Sequence, residues 1–253
     1  MKPILSPREL AIAIGVSESS LKRWADEGLI HVTRTAGGHR RIHISEAIRF
    51  VRDTRATLVR PDVLGLPDVS AVVRDTPIGD SDEERLFAYL QDGRAVEARG
   101  LLLSLYLAGQ SVADICDGPL RRAMARLGEL WQHGEAGILV EHRATDICVQ
   151  AINQLRCTME PPADAPTAVG GAPAGDPYLL PSLAAATTLV AEGLRAVNLG
   201  PDTPTTVLQR AAVHHQAACV WLSVSSVSDA SRLSDEIGAL ADRLAPGGTL
   251  LLL

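Results

Sequence analysis

Apolar and polar positions change rhythm three times along the chain, and each rhythm predicts a different kind of structure. In the opening stretch "SPRELAIAIGVSESSLKRWADEGLI" the rhythm is short and helical. Ser6 is placed to cap a first helix, with Pro7 at its first position and Glu9 completing a capping box, and Gly15 ends it. Ser17 caps a second helix, "ESSLKRWADE", which closes at Gly28. Leu21 and Trp24 lie three residues apart and are expected to face the first helix, which leaves Ser19, Ser20, Lys22 and Arg23 pointing outward. Ile30 and Val32, then Ile42 and Ile44, alternate with polar residues on either side of Gly37-Gly38, as the strands of a hairpin do. His39, Arg40 and Arg41 crowd beside that turn, and Ser45 is expected to cap a third helix, "EAIRFVRDTR".

Residues 58–80 contain Pro61, Pro67 and Pro77 with little periodicity, which predicts a linker, although "VSAVV" is apolar enough to pack. Apolar residues then recur at three- and four-residue spacing through four stretches of residues 81–160, predicting a four-helix bundle. From Pro166 the pattern turns to short apolar runs, "TAVGGAP", "AVNLGP", "ACVWLSVS" and "TLLLL". Helical segments near 180–192, 204–216 and 230–243 separate them, and this alternation predicts a doubly wound parallel sheet over residues 166–253. The fourth run ends at Leu253, so the sheet is expected to be C-terminally incomplete, cut off in its fourth strand. The expected architecture is multidomain α and α/β: a winged helix-turn-helix (1–57), a linker (58–80), a helical bundle (81–160) and a Rossmann-like domain (166–253).

Charge separates these parts. Residues 1–60 carry eleven Lys/Arg against six Asp/Glu, whereas the whole chain has a net charge of −6. A basic head on an acidic body predicts that only the head meets a polyanion. Hydroxyls and cations on the free face of a short helix suit the major groove, where they reach phosphates and base edges. No run approaches a membrane span, and the N-terminal sequence lacks the apolar core of a signal peptide, so the expected compartment is the cytoplasm. Cys116, Cys148, Cys157 and Cys219 show no metal-ligand rhythm and read as reduced thiols. Neither a nucleophile–base–orienter set nor a phosphate-binding glycine loop is present, and no enzymatic activity is expected.

"SESSLKRWADEGLI", followed by Arg34 and "GGHRRI", resembles the winged helix-turn-helix of the MerR family of transcription regulators. The resemblance implies a homodimer on an inverted repeat of double-stranded DNA, with the second helix in the major groove and the wing on the flanking backbone. Its DNA-binding residues would be Ser19, Ser20, Lys22, Arg23, Arg34, His39, Arg40 and Arg41. The long dimerisation coiled coil of that family does not follow the head, so self-association as a dimer or higher oligomer must come from elsewhere.

Further on, Trp131 followed at a ten-residue spacing by Glu141-His142 is similar to the cap of the MerR-headed, cobalamin-dependent photoreceptor repressors of carotenoid synthesis. There such residues lie against the upper face of the corrin around its adenosyl group. Trp131, Ile138, Glu141 and His142 are the corresponding candidates here, and His133 stands one position from a histidine that takes the cobalt after light. Thr203, Ser223 and Ser225, at the ends of strands, would line the pocket for the nucleotide tail. The stretch "GDPYLLPS" occupies the place of that group's D/E-x-H-x-x-G loop: Asp176 keeps the acid, while Tyr178 replaces the cobalt-ligating histidine and Pro181 the glycine. A phenol is a hard oxygen donor with a pKa of about 10 and a poor substitute for imidazole. Three readings stay open: adenosylcobalamin or another cobalamin held without histidine; another tetrapyrrole, such as a haem ligated by His133, His142, His214 or His215; or an interaction module with no cofactor. A corrinoid carrier of a methyltransferase system is a fourth, different class.

Overall fold

The computed structural model describes residues 4–74, 81–130 and 135–253. They belong to two compact units, Met1–Ala151 and Ile152–Leu253.

The first unit begins with β1 (Ile4–Leu5), α1 (Pro7–Ile14), α2 (Glu18–Asp26), β2 (Thr33–Arg34), β3 (Arg40–His43) and α3 (Ile44–Thr54). The Ser6–Glu9 capping box forms, and the Ser17 hydroxyl accepts from the Ser20 N–H, so both helix starts are set by local chemistry. The strands make a small antiparallel sheet in the order β1-β3-β2. Leu5, Leu10, Leu21, Ile30, Ile42 and Ile48 are fully buried, and each such side chain contributes about 1.5–3 kcal/mol by leaving water. Two expectations shift. The third helix starts at Ile44 with His43, not Ser45, at the cap position. Trp24 packs on Phe50 of α3, ring centroids 5.4 Å apart.

The expected linker is built into the unit. The Val59 and Arg60 N–H groups both donate to the Ala13 carbonyl, at 2.8 and 3.0 Å. A 3₁₀ turn at Pro61–Leu64 follows, then α4 (Val69–Arg74). The "VSAVV" segment packs as its apolar character suggested, while the prolines mask the earlier members of the same buried series, Leu64 and Leu66, which precede Val69 and Val72. Residues 75–80 of that stretch lie outside the described residues.

Next come α5 (Asp82–Gln91), α6 (Ala95–Leu107), α7 (Val112–Ile115), α8 (Arg121–Leu130) and α9 (Glu135–Arg156). α4 lies against α6 at Gly100, where a side-chain carbon would stand 2.2 Å from the Asp68 carbonyl oxygen. The stretch expected as a third continuous helix is interrupted at Cys116–Leu120 by a wide turn, where Gly118 leaves helical geometry and Pro119 has no N–H to give.

The second unit is the doubly wound sheet: β4 (Thr167–Gly171), α10 (Leu179–Ala191), β5 (Arg195–Asn198), α11 (Thr205–His214), β6 (Cys219–Leu222), α12 (Ala230–Leu244) and β7 (Leu250–Leu252). All strand pairs are parallel, in the order β5-β4-β6-β7. One apolar cluster joins Val169, Val220 and Leu222 to Leu208 of α11 and Leu240 of α12. Another joins Ala168, Cys219 and Trp221 to Ala186 and Val190 of α10. Helices therefore cover both faces, and the loops after β4, β5 and β6 meet at the carboxyl edge.

Candidate functional site

Two places collect the residues singled out by sequence. The first is the surface of α2 and the wing. Ser19, Lys22 and Arg23 are exposed on α2, and Ser20 is half-buried. The Ser17 hydroxyl lies 2.8 Å from that of Ser19 and 2.9 Å from that of Ser20, which ties this polar face to the cap. Lys22 pairs with Glu18 at 2.9 Å and Arg23 with Glu27 at 3.9 Å. Exposed pairs of this kind contribute about 0–1 kcal/mol, so both cations can turn to a phosphate at little cost. Arg34 and His39 are exposed on the wing, whose tip is closed by the Thr35 N–H to the His39 carbonyl (3.0 Å). Arg40 and Arg41 are half-buried. Arg41 donates to the Arg40 carbonyl at 3.2 Å, while Arg40 reaches back to α2, donating to the Lys22 carbonyl at 2.9 Å and the Asp26 carboxylate at 2.5 Å.

Behind this surface two networks fix the third helix. The Glu46 carboxylate accepts from the His31 N–H at 2.7 Å and from Arg49. Burial pushes this carboxyl up, but the bonds from Arg49 and the His31 N–H outweigh it and hold it below its ordinary value. Arg52 stacks on the Tyr106 ring, 3.5 Å from its centroid, and donates to the carbonyls of Tyr106, in the last turn of α6, and of Gln110, just past its end. A cation is favoured at a helix C-terminus, where the helix dipole ends negative. Neither network was foreseen; the only signal was the run of charges along the third helix, "EAIRFVRDTR".

The second place is the carboxyl edge of the parallel sheet. Asp176 is fully buried. Its carboxylate accepts from the Tyr178 N–H (3.0 Å), the Ser225 N–H (2.6 Å) and the Ser226 N–H (3.0 Å). Its carbonyl accepts from the Asp202 N–H at 2.9 Å, and the Asp202 carboxylate accepts from the Gly175 N–H at 2.7 Å. One acid thus knots the three loops together. Thr203 is buried, with its hydroxyl 3.3 Å from the Gly200 and Pro201 carbonyls; Ser223 is half-buried and Ser225 exposed. Tyr178, Leu179, Val224 and Val227 are exposed around the knot.

Below that edge the interior is filled by the chain's own indole. Gly170 faces Trp221 across the β4–β6 ladder, and a side-chain carbon on Gly170 would stand 2.0 Å from the indole ring. The Trp221 N–H points at the Ser182 hydroxyl (3.4 Å), which donates to Asn198 at 2.8 Å.

The corrin-cap candidates lie on α9 in part. Ile138 and Glu141 are half-buried, and His142 is exposed. Glu141 accepts from the Thr145 hydroxyl at 2.9 Å and lies 3.6 Å from His142. Trp131 and His133 lie outside the described residues. His214 and His215 are exposed at the end of α11, their rings edge to face at 4.8 Å. Among the described residues no group of three or more His, Cys, Asp or Glu is placed to hold a metal ion. Nor is any helix among them long and apolar enough to cross a membrane.

Two family profiles match separate parts of the chain. The profile of the MerR family of regulatory proteins matches residues 6–42. That of a B12 binding domain matches residues 82–156. The HTH-type transcriptional repressor CarA of Myxococcus xanthus is 26% identical over 221 residues, which cover 85% of this chain and 75% of that protein. Similar solved structures include the monomethylamine corrinoid protein of Methanosarcina barkeri, with TM-score 0.48 and 20% identity over 68% of this chain and 84% of that one. A cobalamin-binding protein from Desulfitobacterium hafniense DCB-2 scores 0.34 at 17% identity, again over 68% and 84%.

Proposed function

We propose that this chain, in which a MerR-type DNA-binding domain precedes a B12-binding-type domain, is a transcription repressor whose sensor module works without a histidine-ligated corrinoid. The DNA site is an inverted repeat, bound by a dimer or higher oligomer. The cationic and hydroxyl-bearing face of α2, with Arg34 and His39 on the wing, supports the DNA-binding half of this reading. Similarity to a transcriptional repressor supports repression.

The observation that carries the sensor half is Asp176. An acid that orients a ligand histidine must offer an oxygen to the imidazole. Both Asp176 oxygens are turned inward to three backbone N–H groups, and the residue two positions on is a half-exposed tyrosine. The residues present do not fit a histidine-ligated cobalt. In this reading the second unit supports assembly and contact with a partner, and the bundle relays its state to the head. The relay is a short series of packed groups: α6 holds Arg52, α3 carries Phe50, and Phe50 meets Trp24 of the recognition helix.

The test is selection of duplexes by the purified chain from a random-sequence pool. Recovered sequences should share an inverted repeat with half-sites spaced by about one helical turn or a multiple of it. A pool that stays random after repeated rounds would overturn the reading.

A further inference from the structure

We infer that Arg40 is a positioning residue that braces the wing against the recognition helix, with Asp26 as its anchor, and is not itself a phosphate contact. This inference rests on the DNA-binding reading above and gives that reading a geometry.

The wing has little to hold it in place. β2 and β3 share only two residue pairs, Thr33 with Arg41 and Arg34 with Arg40. A ribbon that short is marginal on its own. Its tip, Thr35 to His39, is closed by bonds within the tip itself: the Thr35 N–H to the His39 carbonyl, the Gly38 N–H to the Thr35 carbonyl, and the His39 N–H to the Thr35 hydroxyl. Those bonds shape the tip but do not set its distance from α2. Arg40 does. Its guanidinium uses two separate nitrogens, one on the Lys22 carbonyl at 2.9 Å and one on Asp26 at 2.5 Å. The fork of donors makes this a two-point link that a point charge could not copy. The Arg40 side chain is only 19% exposed, against 63% for Asp26, so the cation is folded in while the acid stands in solvent.

The placement also explains the acid. A carboxylate one turn from Lys22 on a helix that approaches DNA repels the phosphates. It is tolerable there if it holds a cation whose position matters. Arg34 and His39, the exposed wing groups, then reach the backbone at a distance from α2 that Arg40 fixes.

The two roles for Arg40 predict effects of opposite sign. The probe is one duplex recovered by the wild-type chain from the random pool, with binding measured by fluorescence anisotropy over a range of salt. If Arg40 is a brace, Asp26→Asn weakens binding by about threefold, because losing an anchor that stands largely in solvent outweighs the repelling charge removed with it. Arg40→Lys then behaves like Arg40→Ala, because the second point of the link is gone. The Asp26→Asn/Arg40→Ala double variant is no weaker than Arg40→Ala alone. If Arg40 contacts a phosphate instead, Asp26→Asn tightens binding by freeing the cation and removing a repelling charge. Arg40→Lys then stays near wild type, and Arg40→Ala lowers the salt slope by about one. That second pattern overturns the brace and leaves the DNA-binding reading intact. A wild-type chain that retains no duplex overturns the DNA-binding reading, and the brace with it. The distance between spin labels on α2 at Ser19 and on the wing tip at Ala36, measured in the unbound protein, supplies a readout free of DNA. Its distribution should broaden in Asp26→Asn, and an unchanged distribution there contradicts the brace.

Discussion

Asp176→Ala is the substitution with the largest expected local effect, because one carboxylate satisfies three backbone N–H groups from two loops. A hydrogen bond to a charged group contributes about 1.5–3 kcal/mol net when nothing replaces it. Here Tyr178, Ser225 and Ser226 are exposed, so water can partly take over once the acid is gone. Allowing about 1 kcal/mol for each bond gives a loss of about 3 kcal/mol. In the Ile152–Leu253 unit, of roughly a hundred residues, that corresponds to a melting transition lowered by about 12–24 °C. Scanning calorimetry of the full chain should show the drop in one transition only. Hydrogen exchange at the Ser225 and Ser226 amides should quicken by about a hundredfold, since 1.4 kcal/mol is a factor of ten. Asp229→Ala, which removes the side-chain cap of α12, serves as the control and should leave both amides protected. If Asp176→Ala changes neither the transition nor these two amides, the carboxylate does not hold the loops, and the argument against a histidine-type ligand site loses its support.

Other outcomes follow from the same structure. Gly170→Ala places a carbon 2.0 Å from the Trp221 ring and should destabilise the second unit by about 1–3 kcal/mol, the usual cost of overpacking; Trp221→Leu in the same chain should relieve part of that loss, as read by denaturant unfolding. Glu46 has a carboxyl held below its ordinary value of 4.5, so its contribution to stability is complete above that pH and is lost as pH falls toward the folded-state value. A plot of melting temperature against pH should therefore flatten at its acid limb in Glu46→Gln. Burial pushes the Cys116 and Cys148 thiols up to about 12, while Cys157 is exposed; a thiol reagent near neutral pH should label Cys157 first, and equal labelling of Cys148 would contradict its burial.

The parts of the fold set by neighbouring residues were legible from sequence. Ser6 with Glu9, and Ser17, cap helices because a hydroxyl two or three residues from an orphan N–H needs no tertiary partner. The four apolar runs after Pro166 became the four parallel strands; the runs forming β4 and β6 are buried as such runs require, whereas "TLLLL" forms the edge strand β7 with Leu250 and Leu252 exposed. The parts set by distant residues were hidden. Asp68 shows its role only against Gly100, and Arg52 only against Tyr106 and Gln110. The site was legible as a set of residue types and illegible in its directions. Arg40 reads as one more cation beside a turn, and its commitment to Asp26 exists only once α2 and the wing are folded together. Asp176 reads as an acid next to a missing histidine, yet its oxygens face a loop some fifty residues away. Gly170 in a strand was the one visible hint that something bulky lies across from it, and Trp221 is that group.

The most direct test of the central claim is a comparison of DNA binding with and without the corrinoid. The full chain is incubated with adenosylcobalamin in the dark and desalted. Its visible spectrum and its affinity for a pool-selected duplex are recorded before and after green light. The account predicts a protein without corrin bands whose DNA affinity is the same in all conditions. A retained corrin spectrum that changes on illumination, together with a change in DNA binding, would contradict it and return Tyr178 to the list of residues that face a cofactor.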